Sequence, residues 1–211
     1  MTIGVTKMSD LNLRLMTDSE VTYWYTQEFE KHFNSQERKP LADIIKLQNS
    51  GYYDLLGLFD EHSNQMLGYS TIWKSPNINL LLLDYLGVSS SLRNKGLGSQ
   101  ILLALKKYYK NEYIIAESEL PVSEDSPSEN NLRERRINFY KRNGFKPVYE
   151  MATCGMRWQA LILSDDFISS PSEISKIMHN HKAIYGPSRK DVKIPIYQDE
   201  VPDMPYWVLK K

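Results

Sequence analysis

Cysteine is almost missing from this chain: among 211 residues there is one, Cys154. An internal disulfide and a multi-cysteine zinc site are therefore excluded, and a reducing compartment, the cytoplasm, is the expected setting. Net charge is missing as well. The 26 Lys and Arg are balanced by 26 Asp and Glu, which argues against a chain-wide electrostatic grip on nucleic acid. The four histidines, His32, His62, His179 and His181, stand at no spacing that makes a ligand set with cysteine or carboxylates, so no metal is expected. Long apolar runs are absent too. The longest, Leu80–Leu83, falls far short of the about 20 residues that span a bilayer. The opening MTIGVTKMSDLNLRL holds no apolar stretch of signal-peptide length, so neither membrane insertion nor export is expected.

What the sequence does have is length and apolar content enough for one substantial core, with 41% hydrophobic residues against 25% charged. Leu11, Leu13 and Leu15 alternate with polar residues as a half-buried strand does. Ser19 and Glu20 open an aromatic-rich helix over Val21–Phe33, and Leu41–Gln48 reads as a second, ending near Gly51. Three strands follow, Tyr52–Phe59, Met66–Trp73 and Ile78–Val88, separated by turn-forming residues as in an antiparallel meander. Helical spacing returns at Ile101–Tyr109, then a strand at Tyr113–Leu120 and an acidic Ser/Pro-rich loop over 121–130. A helix over Leu132–Arg142 stops at Asn143-Gly144. Phe145–Met156 and Trp158–Leu163 complete the strands. The order β-α-α-β-β-β-α-β-α-β-β describes a mixed α/β domain over residues 1–164. Residues 165–211 read as an extension: a helix at Ser172–Tyr185, then a Pro-punctuated tail packed on the domain, on a second copy or on another partner.

The segment Leu86 to Ser99 carries the most chemistry. A strand end, a turn with glycines at 96 and 98, and a helix start follow one another, which sets free backbone N–H groups at the positive end of a helix dipole. Glycine lets the main chain approach a phosphate, and Arg93 and Lys95 add charge at the same place. An ordinary strand-to-helix turn would share the Gly-x-Gly, and neither the Gly-Lys-Ser/Thr ending of a P-loop nor a third glycine is present.

Arg93-Asn94-Lys95-Gly96-Leu97-Gly98 resembles the Arg/Gln-x-x-Gly-x-Gly/Ala signature of the GNAT superfamily of N-acetyltransferases, and Phe139-Tyr140-Lys141-Arg142-Asn143-Gly144-Phe145 resembles that family's Phe-Tyr-x-x-x-Gly-Phe segment. The resemblance implies a central twisted mixed sheet with helices on both faces. It implies acetyl-CoA as co-substrate, with Arg93, Asn94, Lys95, Gly96, Leu97, Gly98 and Ser99 around the pyrophosphate and the main chain near Leu86 and Val88 along the pantetheine arm. It also implies that Tyr140 faces the coenzyme sulfur, where a phenol with a pKa near 10 suits a general acid for the departing thiolate; a core aromatic is the plain alternative.

An ammonium acceptor must also lose a proton. Glu117 and Glu119 share one face of their strand, and Asp84 sits inside an apolar one, where an unpaired charge is expensive. These three are the candidate bases, each equally readable as a solvated or ion-paired carboxylate. The family's glutamate six residues before the valine that matches Val88 is replaced here by Leu82. Acceptor-side candidates are Tyr23, Trp24, Glu28 and Glu37 with Glu124, Asp125 and Glu129, although Tyr23, Trp24, Tyr25 and Phe29 also read as core. Cys154 reads as a buried strand residue. The function this implies is transfer of an acetyl group from acetyl-CoA to a primary amine, of a small molecule or of a protein. A chain that binds acyl-CoA without catalysis, as a sensor, is the reading of another class.

Overall fold

The computed structural model describes residues 10–33, 35, 37–205 and 208, so the first nine residues of the opening stretch lie outside it. The described chain divides into two compact units, residues 1–73 with 83–110, and residues 74–82 with 111–211.

The first unit begins with β1 (Leu11–Leu15) and α1 (Asp18–Trp24). Thr17 and Glu20 form a capping box at the start of α1, and Arg14 grips the same Glu20 carboxylate with both guanidinium nitrogens at 2.7 and 2.8 Å. The helix continues through a π-turn (Tyr25–Phe29) into α2 (Glu30–His32). Residues five apart on an α-helix point about 140° away from each other; widening one turn to i→i+5 brings them closer. That widening turns both Trp24 and Phe29 inward, each 0% exposed, with ring centroids 4.7 Å apart. Phe29 also meets Tyr85 edge-on at 4.6 Å, and Trp24 meets Tyr69 at 5.4 Å. Tyr23 on the opposite side is 57% exposed and is not core.

After α3 (Leu41–Asn49), β2 (Tyr53–Asp60) and β3 (Met66–Trp73) join β1 in an antiparallel meander with Leu13 opposite Leu58 and Leu56 opposite Ser70. β4 (Leu81–Val88) lies beside β3, giving the order β1-β2-β3-β4. Ser89 N–H donates to Leu67 O and Tyr85 N–H to Thr71 Oγ1, so β4 runs antiparallel to β3. The third strand starts later than its apolar run suggests, because Asn77 turns with φ +63°. α4 (Leu97–Tyr108) buries Ile101, Leu102 and Leu105.

In the second unit, β5 (Ile114–Glu119), β6 (Lys146–Thr153) and β7 (Met156–Leu163) form antiparallel pairs in the order β5-β7-β6. α5 (Pro127–Arg142) starts five residues before its expected position. The expected loop in fact holds a helix start: Ser126 accepts from Glu129 N–H, Glu129 caps in return, and Pro127 occupies the first turn. Cys154 is not in a strand. It and Gly155 form the β6–β7 turn with φ +54° and +76°, the left-handed pair that a two-residue hairpin requires.

α6 (Pro171–Tyr185) and the tail pack within this unit. Lys193 bridges Ala152 of β6, and Val192, Ile194 and Ile196 are buried. Arg189 and Asp191 form a buried ion pair that also holds Thr153 and the Cys154 amide. Among the described residues no helix is long and apolar enough to cross a membrane.

The Arg14–Glu20 contact has a pH signature. Hydrogen bonds from Arg14, above all, hold the Glu20 carboxyl at about 2 against an ordinary 4.5. A depressed folded-state value stabilises fully above the unfolded value and loses that stabilisation as pH falls toward the folded one. Glu20→Gln should therefore cost stability by a constant amount above about pH 5, with the gap to wild type closing between pH 4.5 and 2. Urea unfolding across that range measures it.

Candidate active site

Burial falls off along β4: Leu81–Leu83 and Tyr85 are buried, whereas Leu86, Gly87 and Val88 are partly exposed. A Cβ at Gly87 would overlap the Tyr69 ring, so only glycine lets the strand pass over that tyrosine. A short 3-10 turn (Ser90–Leu92) follows, anchored by buried Leu92, and Arg93 to Gly96 are exposed. Asn94 and Gly96 both hold left-handed dihedrals, φ +64° and +79°. Turns of this kind aim neighbouring amides into one concavity suited to an anion.

Gly96 is the N-cap of α4, and no side chain caps that helix. The α3 start, behind Pro40, also lacks a side-chain cap, whereas three other helices have one. Thr17, Ser126 and Ser170 each accept from a first-turn amide at the starts of α1, α5 and α6. The α4 amides receive no such internal acceptor, at the positive end of a 12-residue helix. A Cβ at Gly96 would meet nothing within 4 Å, so this face is open and the φ alone demands glycine. Open amides, an uncapped dipole, and the Arg93 and Lys95 charges fit a diphosphate.

His32 belongs to the same unit and was not singled out by the sequence. Its side chain is 7% exposed, with Nδ1 2.8 Å from the Tyr69 hydroxyl and Nε2 3.7 Å from Glu28. Burial, and then the Arg93 charge, lower its pKa and favour the neutral ring. Glu28 and Tyr23 line a cleft of about 410 Å³ that also touches Ser19, Phe59, Ser89 and Ser91.

Asp84 is not a free carboxylate. Lys39 Nζ lies 2.8 and 2.7 Å from its two oxygens, Tyr53 donates a short hydrogen bond, and both charged side chains are 8% exposed. Lys39 is itself boxed by Trp73 and Tyr85, 4.6 and 5.1 Å from their ring centroids.

In the second unit, Tyr140 lies on α5 between Phe139 and Phe145, with centroids 5.3 and 5.2 Å away. Among the described residues its hydroxyl has no hydrogen-bond partner. Desolvation pushes its pKa up to about 12, with Arg136 pulling down and the Glu117 charge pushing up, so the phenol keeps its proton at neutral pH. Glu117, on β5, is 11% exposed; Tyr185 donates to it at 2.8 Å and His181 Nε2 lies 2.9 Å from Oε1. Glu119, two residues on, is held by Arg133 at 2.8 Å, and Arg133 also binds Asp125. Of the acceptor-side carboxylates, Glu129 is used in its capping box and Glu124 is exposed.

In the first unit, then, residues 93–96 form one exposed turn before α4 and Asp84 is tied in an ion pair; in the second, the Glu117 charge acts on Tyr140 and Glu119 is tied in an ion pair. The sequence did not reveal His181 and Tyr185. Their signal is spacing: Ile177, His181, Ile184 and Tyr185 share one buried helix face, where a histidine stands out.

Residues 55–147 match the family model described as an acetyltransferase (GNAT) domain. The chain is 31% identical over 126 residues to a Bacillus subtilis (strain 168) protein named "Putative acetyltransferase YjbC", a match covering 58% of this chain and 56%, a little over half, of that relative. A GNAT-family protein of Bacteroides thetaiotaomicron aligns with TM-score 0.63 and 22% identity, over 83% of this chain and 98% of its own. The Vibrio cholerae spermidine N-acetyltransferase in complex with CoA and spermine aligns at 0.55 and 11%, over 74% and 95%. At such identities the structural likenesses establish the fold. Over residues 55–147 the chain carries a match to a GNAT acetyltransferase domain, on a fold that these structures share.

Asp84→Asn leaves the Lys39 ammonium buried without its counter-charge and should cost about 3–5 kcal/mol of stability. Urea denaturation measures this. Full stability with lost turnover would instead mark Asp84 as part of the reaction.

Proposed function

We propose that this chain is an acetyl-CoA-dependent N-acetyltransferase that acts on a primary amine of a small molecule, by direct attack in a ternary complex, in the cytoplasm. The observation that carries this reading is the α4 start, whose amides are left uncapped behind the left-handed residues Asn94 and Gly96 and beside the charges of Arg93 and Lys95.

Leu97, Gly98 and Ser99 offer their amides to the pyrophosphate, Gly96 admits it, and Arg93 and Lys95 balance its charge. The partly exposed edge at Leu86 and Val88 offers main-chain groups to the pantetheine arm. Bound acetyl-CoA supplies a thioester carbonyl open to attack. The protein contributes position first, which in well-aligned reactions is worth roughly 7–11 kcal/mol. Glu117 takes the proton that the attacking amine sheds as its carbon–nitrogen bond forms. Tyr140, kept protonated by burial, gives its proton to the sulfur as the carbon–sulfur bond breaks and the electron pair passes to sulfur. Protons and charge balance: one is taken from nitrogen and one is delivered to sulfur.

That two of three carboxylate candidates are locked in ion pairs favours a second reading, an acyl-CoA sensor with little turnover. The two readings separate on thiol release from acetyl-CoA across a panel of polyamines, amino sugars and arylalkylamines. Tight binding with no release from any amine supports the sensor.

Acetyl-CoA at 100 times its Kd should stabilise the fold by about 2.7 kcal/mol, a rise in Tm of about 5–10 °C. Gly96→Glu, with bulk and negative charge in the cradle, should abolish that rise. Tyr140→Phe should keep the rise and lower kcat by about 10²-fold or more. An unchanged kcat in that variant removes Tyr140 from the chemistry.

A further inference from the structure

α6 lies outside residues 55–147, the stretch that matches the family model. Its buried face is formed by Ile177, Ile184 and Tyr185, and by His181, whose side chain is 0% exposed. An imidazole in such a place costs free energy unless both nitrogens are used. His181 Nδ1 is 2.9 Å from the Tyr149 hydroxyl on β6. Its Nε2 is 2.9 Å from Glu117 Oε1 on β5, although off the line of a hydrogen bond. Tyr185, one turn further along α6, places its hydroxyl 2.8 Å from both Glu117 oxygens, and the Arg189 guanidinium covers the Tyr185 ring at 4.9 Å.

A buried ionisable pair of this kind usually stabilises a fold no better than apolar side chains of the same volume. Stability alone therefore gives no reason for a carboxylate, an imidazole and two phenols on one buried face. Resting on the acetyl-transfer reading, we propose that His181 and Tyr185 are positioning residues for Glu117: Tyr185 fixes the carboxylate, and the His181–Tyr149 pair carries away the proton that Glu117 accepts.

In chemical terms Glu117 gains a proton from the amine, His181 Nε2 takes it from the carboxyl as Nδ1–H gives its proton to the Tyr149 oxygen, and the partly exposed Tyr149 phenol releases its own proton to water, the final acceptor. Each group then returns to its starting charge, and no oxidant or further reactant is involved. The groups facing this chain are Tyr140 on α5, with Arg136 acting on it, Tyr149 on β6, Tyr185 on α6 and Arg189 beyond. The C-terminal helix thereby becomes part of the catalytic apparatus of the domain.

The test uses full-length wild type, His181→Gln, Tyr185→Phe, Glu117→Gln and the Glu117→Gln/His181→Gln double variant. Turnover of acetyl-CoA with the best amine of the panel is measured from pH 5.5 to 9. His181→Gln should lower kcat about 10- to 100-fold, part of the roughly 10²–10⁴-fold that a placed acid–base group supplies. KM for acetyl-CoA should stay unchanged and the acidic limb of the kcat profile should move. Tyr185→Phe should move the same limb with a smaller loss. The double variant should fall no lower than Glu117→Gln, as members of one unit do.

Wild-type kcat and profile in both His181→Gln and Tyr185→Phe would overturn the proposal, and so would multiplicative losses in the double variant. If His181→Gln fails to fold, the profile of Tyr185→Phe decides. A wild type that acetylates while the variants keep its profile overturns this inference alone. A wild type that acetylates no amine of the panel overturns the transfer reading and this inference with it.

Discussion

A helix begins with backbone amides that its own hydrogen bonds cannot use, and how those amides are satisfied organises this protein. At α1, α5 and α6 the chain spends a Thr or Ser on the task, and at α1 and α5 a glutamate closes the box. At α3, behind Pro40, and at α4, behind Gly96, no side chain is spent, and only α4 begins on a left-handed glycine. The turn before it is instead shaped by two left-handed residues, exposed to solvent and flanked by Arg93 and Lys95. Leaving donors unsatisfied is costly unless water or a ligand takes them. A single design choice at one helix start thus connects local geometry to the proposed co-substrate.

The carboxylates follow a second constraint, the cost of an unpaired charge away from water. Asp84, Glu117 and Glu119 are all at least partly buried, and each is met differently. Asp84 is neutralised by a full ammonium and capped by a phenol. Glu119 meets an arginine that also serves Asp125. Only Glu117 is surrounded by groups that can pass a proton, an imidazole and tyrosine hydroxyls, instead of a fixed cation. On the proposed reading, that difference in partners is the ground for preferring Glu117 among three candidates that spacing alone could not rank.

Much of the fold could be read from the chain, and the exceptions have physical causes. The meander β2-β3-β4 was legible because its apolar runs are bounded by turn residues, and the cradle because glycine spacing and charge fall on one strand-to-helix junction. The first turn of α5 was missed because its polar, serine-rich sequence looks like a loop unless Ser126 and Glu129 are paired as a box. The β6–β7 turn was missed because Cys154 is not a residue that announces a left-handed bend; its amide is held by Asp191, 37 residues away. Asp84 was legible as anomalous but not as caged, since its partner Lys39 is 45 residues distant. His181 and Tyr185 needed the packing of α6 before they could be connected with Glu117 at all.

The crossing of β4 over Tyr69 ties two positions together. A side chain at 87 has no room while the ring at 69 is in place, and that ring's hydroxyl is bonded to His32. Drift at these sites must therefore be ordered in time: position 69 has to shrink before position 87 can grow, and His32 loses its neighbour in the same step. Related chains should show a small residue at 87 wherever a tyrosine stands at 69, a covariation dictated by volume alone.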